Sequence, residues 1–275
     1  MMVSGDSRAR SISIENVSHG FSSAKSGSVM TLDDVSLEIY ECELLSLLGP
    51  SGCGKSTLLN IIGGLLRPTS GVVRIGTTEV KGPSPRKLSF VFQDNTLFPW
   101  NTISENILVA LEFIGVPQAE RQARAESALA AVGLQDFAGH YPRQLSGGMK
   151  QRASLARSLS LETDIILMDE PFAALDEQTR TFLGEELSVL LSKTKKTIVM
   201  VTHSLSEAVF LSDRIAVMTS RPAHIKSIVN IDQPHPRGAE FMSCREFADL
   251  RNELYSLLRV EIKRTVGSLS GAAAE

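Results

Sequence analysis

The apolar positions of this 275-residue chain change period several times, and each change marks an element. Ile12, Ile14 and Val17 alternate with polar residues, and Val35, Leu37 and Ile39 do so again, the period of half-buried strands. A Ser/Gly loop is expected between them, over residues 20–28, so two or three antiparallel strands come first. Leu44-Leu45-Ser46-Leu47-Leu48 is instead a nearly unbroken apolar run, as a strand buried on both faces requires. Leu58, Leu59, Ile61, Ile62, Leu65 and Leu66 then recur at helical spacing. A turn at residues 67–71 leads to a strand at 72–75, Pro83 and Pro85 punctuate a loop, and a strand over 88–92 ends at Gln93.

From residue 94 to about 161 the pattern becomes helical, over 103–114, 119–132 and 147–159, which reads as a helical insertion. The sheet returns at 164–169, followed by a helix over 177–191, a buried strand at 197–202, another helix and a strand at 215–218. Strands alternating with helices argue a mainly parallel α/β sheet. Prolines 222, 234 and 236 interrupt the chain beyond Arg221. An amphipathic helix is expected over 243–263, with Phe247, Leu250, Leu254, Leu257, Leu258 and Ile262 on one face. The resulting partition is a flexible tail at 1–11, a main domain at 12–220 and an extension at 221–275, frayed from Gly267 onward.

Composition narrows the class. With 43% apolar and 21% charged residues the chain can bury a large core, and its net charge of −3 gives no overall basic footprint for nucleic acid. Cys42, Cys53 and Cys244 are odd in number and lack C-x-x-C spacing, which fits reduced thiols. No apolar stretch approaches the ~18 residues of a membrane span. The polar N-terminus lacks a signal core, so export is not expected and any membrane would be reached through a partner.

Candidate chemistry centres on Gly49-Pro50-Ser51-Gly52-Cys53-Gly54-Lys55-Ser56-Thr57, which fills the G-x-x-x-x-G-K-[ST] template between a strand and a helix. Glycines let successive N–H groups converge on phosphate oxygens, and the helix start adds a favourable field. Lys55 supplies a mobile charge for the outer phosphates, and Ser56 a hydroxyl for Mg²⁺. The expectation is nucleoside triphosphate binding, and a thiol reagent on Cys53 is expected to inhibit unless nucleotide protects.

The strand at 165–168 ends in Asp169-Glu170. The first carboxylate can complete a Mg²⁺ site opposite Ser56, and the second can accept a proton from attacking water. Gln93 and His203 each follow an apolar strand, at the edge where ligands bind such sheets. Gln93 suits Mg²⁺ or water and His203 the terminal phosphate, although each taken alone also reads as a structural polar residue. Phe21, beside its loop, is either a base-stacking aromatic or ordinary packing. Leu145-Ser146-Gly147-Gly148-Met149 opens a helix and forms a second anion cradle. Two cradles about a hundred residues apart are hard to place on one nucleotide within one chain, and a head-to-tail dimer solves the problem.

Together, Phe21, residues 49–57, Gln93, residues 145–149, residues 165–170, Ala174-Leu175-Asp176 and His203 resemble the ATP-binding-cassette (ABC) ATPases over essentially all of residues 12–220. The resemblance implies a P-loop (RecA-like) α/β core with an N-terminal antiparallel β-subdomain and an inserted α-helical subdomain. ATP and Mg²⁺ follow from it. So do adenine stacking by Phe21, trans contacts from Ser146, Gly147 and Gly148, and Mg²⁺ at Ser56, Gln93 and Asp169. Gln93 would couple the site to movement, Glu170 would be the base, Asp176 would work across the dimer, and His203 would sense the γ-phosphate. Met149 stands where the family usually has Gln, and Phe21 where it usually has Tyr.

Residues 92–100 (Phe-Gln-Asp-Asn-Thr-Leu-Phe-Pro-Trp) and 234–237 look like segments of the nitrate, sulfonate and taurine importer ATPases. That implies a homodimer beneath two membrane-spanning permease chains at the cytoplasmic face of the cell membrane, served by a solute-binding protein. Trp100 then either faces the permease or packs inside the helical insertion. A DNA-repair or chromosome ATPase would need a long coiled-coil insertion, for which the interval from Gln93 to Leu145 is too short. A ribosome-acting cassette protein normally carries two P-loops, and this chain has one.

Overall fold

The structure, a computed structural model, describes residues 9–23, 27–193 and 195–271. Residues 1–8 of the expected tail and 272–275 of the expected frayed end lie outside the described residues. The chain runs β1 (Arg10–Ser23), β2 (Gly27–Tyr40), β3 (Leu44–Leu48), α1 (Lys55–Ile62), β4 (Ser70–Ile75), β5 (Thr78–Glu79) and β6 (Leu88–Val91). Next come α2 (Ile103–Phe113), α3 (Gln118–Ala131), α4 (Gly147–Ser160), β7 (Ile165–Asp169), α5 (Glu177–Lys193), β8 (Thr197–Thr202) and α6 (Leu205–Leu211). β9 (Arg214–Met218), β10 (Ile225–Asn230), α7 (Ala239–Met242) and α8 (Arg245–Gly271) complete it.

A six-stranded sheet in the order β10-β9-β3-β8-β7-β6 is parallel except at β10. A four-stranded antiparallel sheet, β2-β1-β4-β5, packs beside it. The unbroken apolar runs follow from burial on both faces. On β3, Leu44 and Leu48 point to a core shared with α2 to α6 and α8, while Leu45 and Leu47 point to a second core shared with α1 and the smaller sheet. β7 splits likewise, with Ile166 and Met168 on one side and Ile165 and Leu167 on the other.

Four expectations change. The loop at 20–28 is mostly strand, because Gly20, Phe21, Ser22 and Ser23 keep pairing with Met30, Val29, Ser28 and Gly27. The first helix stops at Ile62 rather than near Leu66. Gly64 has φ +72°, and its backbone packs so close to Gly82 that a Cβ would lie 2.4 Å from the Gly82 carbonyl. β10 was hidden because the prolines around it read as breaks, yet none lies inside it. Finally α8 begins at Arg245, and it stays helical through Gly271 where fraying was expected. On its apolar face Ile262 is 46% exposed, and Glu261 is the buried neighbour, bonded to Lys226 at 2.8 Å.

Candidate functional site

The loop between β3 and α1 takes its shape from glycines. Gly52 and Gly54 have φ +75° and +123°, and a Cβ on Gly54 would lie 2.9 Å from Thr31 and Leu32 of β2. Gly54 also stands at the N-cap of α1, where no side chain caps the first amides. Those donors are therefore not taken by a side chain, as an anion cradle requires. Lys55 Nζ donates to the Gly49 and Pro50 carbonyls at 2.9 and 3.0 Å, so its ammonium lies against the loop itself. Ser51 and Gly52 are exposed, whereas Cys53 is 2% exposed and burial pushes its thiol pKa up. Cys53 is thus a buried residue of the loop with Sγ turned toward Gly49, less open to a thiol reagent than its place in the motif suggests.

Ser56 Oγ donates to Asp169 Oδ1 at 3.0 Å, bringing α1 and β7 together at the carboxyl edge of the sheet. Burial raises the Asp169 pKa, the Ser56 bond opposes that, and neighbouring Glu170 adds to it. A buried carboxylate beside a hydroxyl, with a carboxamide nearby, is an all-oxygen donor set of the kind a hard divalent cation takes. Glu170 holds φ +47°, a left-handed conformation costly for a side-chain-bearing residue, and its N–H donates to Val201 O at 3.0 Å. Two side chains meet its carboxylate: Gln93 Nε2 donates to Oε2 at 3.3 Å, and His203 Nδ1 lies 3.3 Å from the same oxygen. Strands β6, β7 and β8 are consecutive in the sheet, so the residues just past their ends converge.

Other expected site residues sit apart. Phe21 is 49% exposed on β1, edge-on to His19 at 4.7 Å. Ser146 caps α4, accepting from Met149 N at 3.2 Å, and Ser146 and Gly147 are exposed. Among the described residues no hydrogen bond joins 146–148 to 49–57. Asp176 caps α5 by accepting from the Thr179 amide and hydroxyl at 2.9 and 2.7 Å, which lowers its pKa. Trp100 is 70% exposed and stacks on Phe98, so packing inside the helices is overturned for it.

The sequence reading missed several supports. Gln151 Nε2 reaches Phe92 O at 3.4 Å, and Arg157 holds Thr96 through its carbonyl and hydroxyl at 2.8 and 2.6 Å, bracing the segment after Gln93. Arg180 and Glu207 form an ion pair at 3.3 Å behind His203. Each stands four residues beyond a site residue, Asp176 or His203, and that one-turn spacing was the available signal.

Comparison with known proteins agrees with this geometry. The ABC transporter family model matches residues 32–173. An uncharacterized ABC transporter ATP-binding protein of Methanocaldococcus jannaschii is 48% identical over 238 residues, 86% of this chain and 88% of that protein. The nitrate import ATP-binding protein of Synechococcus elongatus is 41% identical over 252 residues, 90% of this chain but 38% of the relative. That organism's bicarbonate transport ATP-binding protein is 44% identical over 229 residues, 82% of this chain and 34% of the relative. Among solved structures, a dimeric ATP-binding cassette in a post-hydrolysis state with ADP and Pi matches with TM-score 0.74 and 35% identity, covering 81% of this chain and 99% of that one. The chain belongs to the ABC transporter family, and it is a P-loop α/β ATPase that binds and hydrolyses ATP.

Proposed function

We propose that this chain is the ATPase subunit of an importer for a small solute of the nitrate, sulfonate or taurine type. The observation that carries the mechanism is the convergence of Gln93 and His203 on Glu170, beside the Ser56–Asp169 pair. In this reading the amides of residues 49–57 and Lys55 hold the phosphates, and Phe21 stacks on adenine. Ser56, Asp169 and Gln93 would hold Mg²⁺, which neutralises phosphate charge. Glu170 accepts the proton of the attacking water, Gln93 orients that carboxylate, and His203 bonds the terminal phosphate.

Ser146 and Gly147 are exposed, and among the described residues no hydrogen bond joins 146–148 to the P-loop, which supports their closing on the nucleotide of a second copy, with Asp176 beside them. Residues 12–220 would then be the ATPase unit and 94–161 its helical insertion, carrying motion to two permease chains through a surface that includes Trp100. No helix among the described residues is long and apolar enough to cross a membrane; in this reading the permease and a solute-binding protein are separate chains. The importer relatives support this peripheral place at the cytoplasmic face of the membrane.

Glu170→Gln is expected to keep ATP binding while losing at least ~10²-fold in turnover, the scale of a general base. Near-normal hydrolysis would remove Glu170 from that role. Mixing Ser146→Ala with Lys55→Ala chains should restore about one working site per heterodimer. Activity no higher than the two homodimers' sum would rule out a shared site.

A further inference from the structure

We propose that Arg180 and Glu207 are positioning residues that tie the segment 174–176 to His203, so that a shift at that segment moves the histidine relative to Glu170. The proposal rests on the reading of His203 given above. A chain of polar contacts links the two ends. Arg180 donates from one terminal nitrogen to Leu175 O at 2.9 Å, and its Nε lies 3.3 Å from Glu207 Oε1. The other Glu207 oxygen accepts from Thr202 Oγ1 at 2.6 Å, and that hydroxyl in turn accepts the Ser204 N–H at 3.0 Å. Ser204 Oγ accepts the Glu207 amide at 3.3 Å. His203 is thus held on both sides by groups that answer to one carboxylate.

Helix capping alone does not account for this arrangement. Glu207 occupies the third position of α6 after the Ser204 cap, where a glutamate ordinarily reaches back to the cap amide. α2 does that: Thr102 accepts from Glu105 N, and Glu105 accepts from Thr102 N at 2.7 Å. In α6 the Ser204 amide is satisfied by Thr202 instead, and the glutamate is diverted to Arg180. The Glu207 side chain is 11% exposed, and burial raises its pKa while Thr202 and Arg180 pull it back down. A partly buried carboxylate in that setting depends on its cation. The pair also borders a cavity of about 380 Å³, lined by Phe172, Phe247 and Arg251 as well, so it can shift without displacing packed core.

The test is ATP turnover by the full chain carrying Arg180→Met, Glu207→Gln or both, below the melting temperature of every variant. Turnover is counted per folded molecule from each variant's circular dichroism and urea midpoint. Each single variant is then expected to lose about 10-fold in kcat with KM within about twofold of the parent; at a folded fraction near that of the parent, lost stability does not produce a loss of that size. The double variant should also lose about 10-fold, because both act through one link. Glu207→Gln keeps the shape and an acceptor for Thr202, which preserves the test if Arg180→Met fails to fold. The proposal is overturned by kcat within twofold of the parent in a folded single variant, by a loss near 100-fold in the double variant, or by losses that appear in KM. His203→Ala is the control. Parental turnover there overturns the phosphate role of His203 and this link together, whereas an inactive His203→Ala beside a fully active Arg180→Met overturns the link alone.

Discussion

Replacing Arg237 by Met is expected to destabilise the chain by about 3 kcal/mol. The side chain is 0% exposed, and it donates from one terminal nitrogen to Val209 O, Phe210 O and Ser212 O at 3.1, 3.0 and 2.8 Å. Nε and the other terminal nitrogen reach Gln233 O at 2.8 and 2.5 Å. Three of these four carbonyls belong to the C-terminal end of α6, where helical acceptors lack partners of their own and a cation is favoured. Four N–H groups serve these contacts, two of them shared among the three α6 carbonyls, and at slightly above ~1 kcal/mol each for a charged donor they amount to roughly 5 kcal/mol. Burial works against the guanidinium and lowers its pKa to about 10, so relieving that cost returns roughly 2 kcal/mol. Met keeps the apolar stem, which confines the loss to the polar end. Urea denaturation at neutral pH should therefore show a lower midpoint at unchanged slope. For a chain this long ~3 kcal/mol corresponds to a Tm drop of roughly 6–12 °C. A change under ~0.5 kcal/mol would refute the argument that the guanidinium caps α6.

Two further outcomes follow from buried titratable groups. His235, against Ser188 Oγ at 2.8 Å and near Arg237 and Asp213, has its pKa lowered by burial from 6.5 to about 4. The unfolded chain therefore binds the proton first, so stability falls as pH drops from 6.5 toward 4. The loss should be about 2 kcal/mol between pH 7 and 5, and His235→Gln should flatten it in denaturation curves; an equal slope would refute this. Cys53 is buried with a raised pKa while Cys42 is exposed, so a maleimide should label Cys42 first and leave turnover nearly intact. Inactivation in step with Cys42 labelling would refute the burial argument.

What the sequence revealed was whatever burial or backbone geometry forces. The apolar runs at β3, β7 and β8 could only be two-sided strands, and the glycines at 52 and 54 only a tight turn opening α1. Gln93, Glu170 and His203 were legible because strand ends in a parallel sheet share one edge. That Gln93 and His203 both meet one Glu170 oxygen was not legible, since it depends on β6, β7 and β8 being consecutive neighbours. Arg237 was visible only as part of a Pro-rich tail. Its partners are backbone carbonyls, which any sequence supplies, so nothing in the residue pattern announces them. β10 was lost because the prolines that flank it carry a stronger local signal than six strand residues.

The second cradle and the catalytic edge, separate in the sequence, are joined in the fold by the segment 174–176. A Cβ on Gly148 would lie 3.0 Å from Leu175 Cδ2 and 3.6 Å from Ala174 O, so α4 rests its first turn directly on that segment. The Leu175 carbonyl then meets Arg180, and the chain of contacts continues through Glu207 and Thr202 to the histidine beside Glu170. Gly148 leaves no room for even a methyl group beside Leu175, so a shift of the first turn of α4 toward that segment has to move its neighbour. Gly148→Ala is therefore a displacement of Leu175 by a few tenths of an ångström as well as a change in the cradle. In the shared-site reading, an anion drawn into one chain's residues 146–148 would press on the same carbonyl that Arg180 holds. Closure of one nucleotide site would then reach the Glu170 of the chain that supplied the cradle, linking the two sites of a pair through side chains already in contact within one copy.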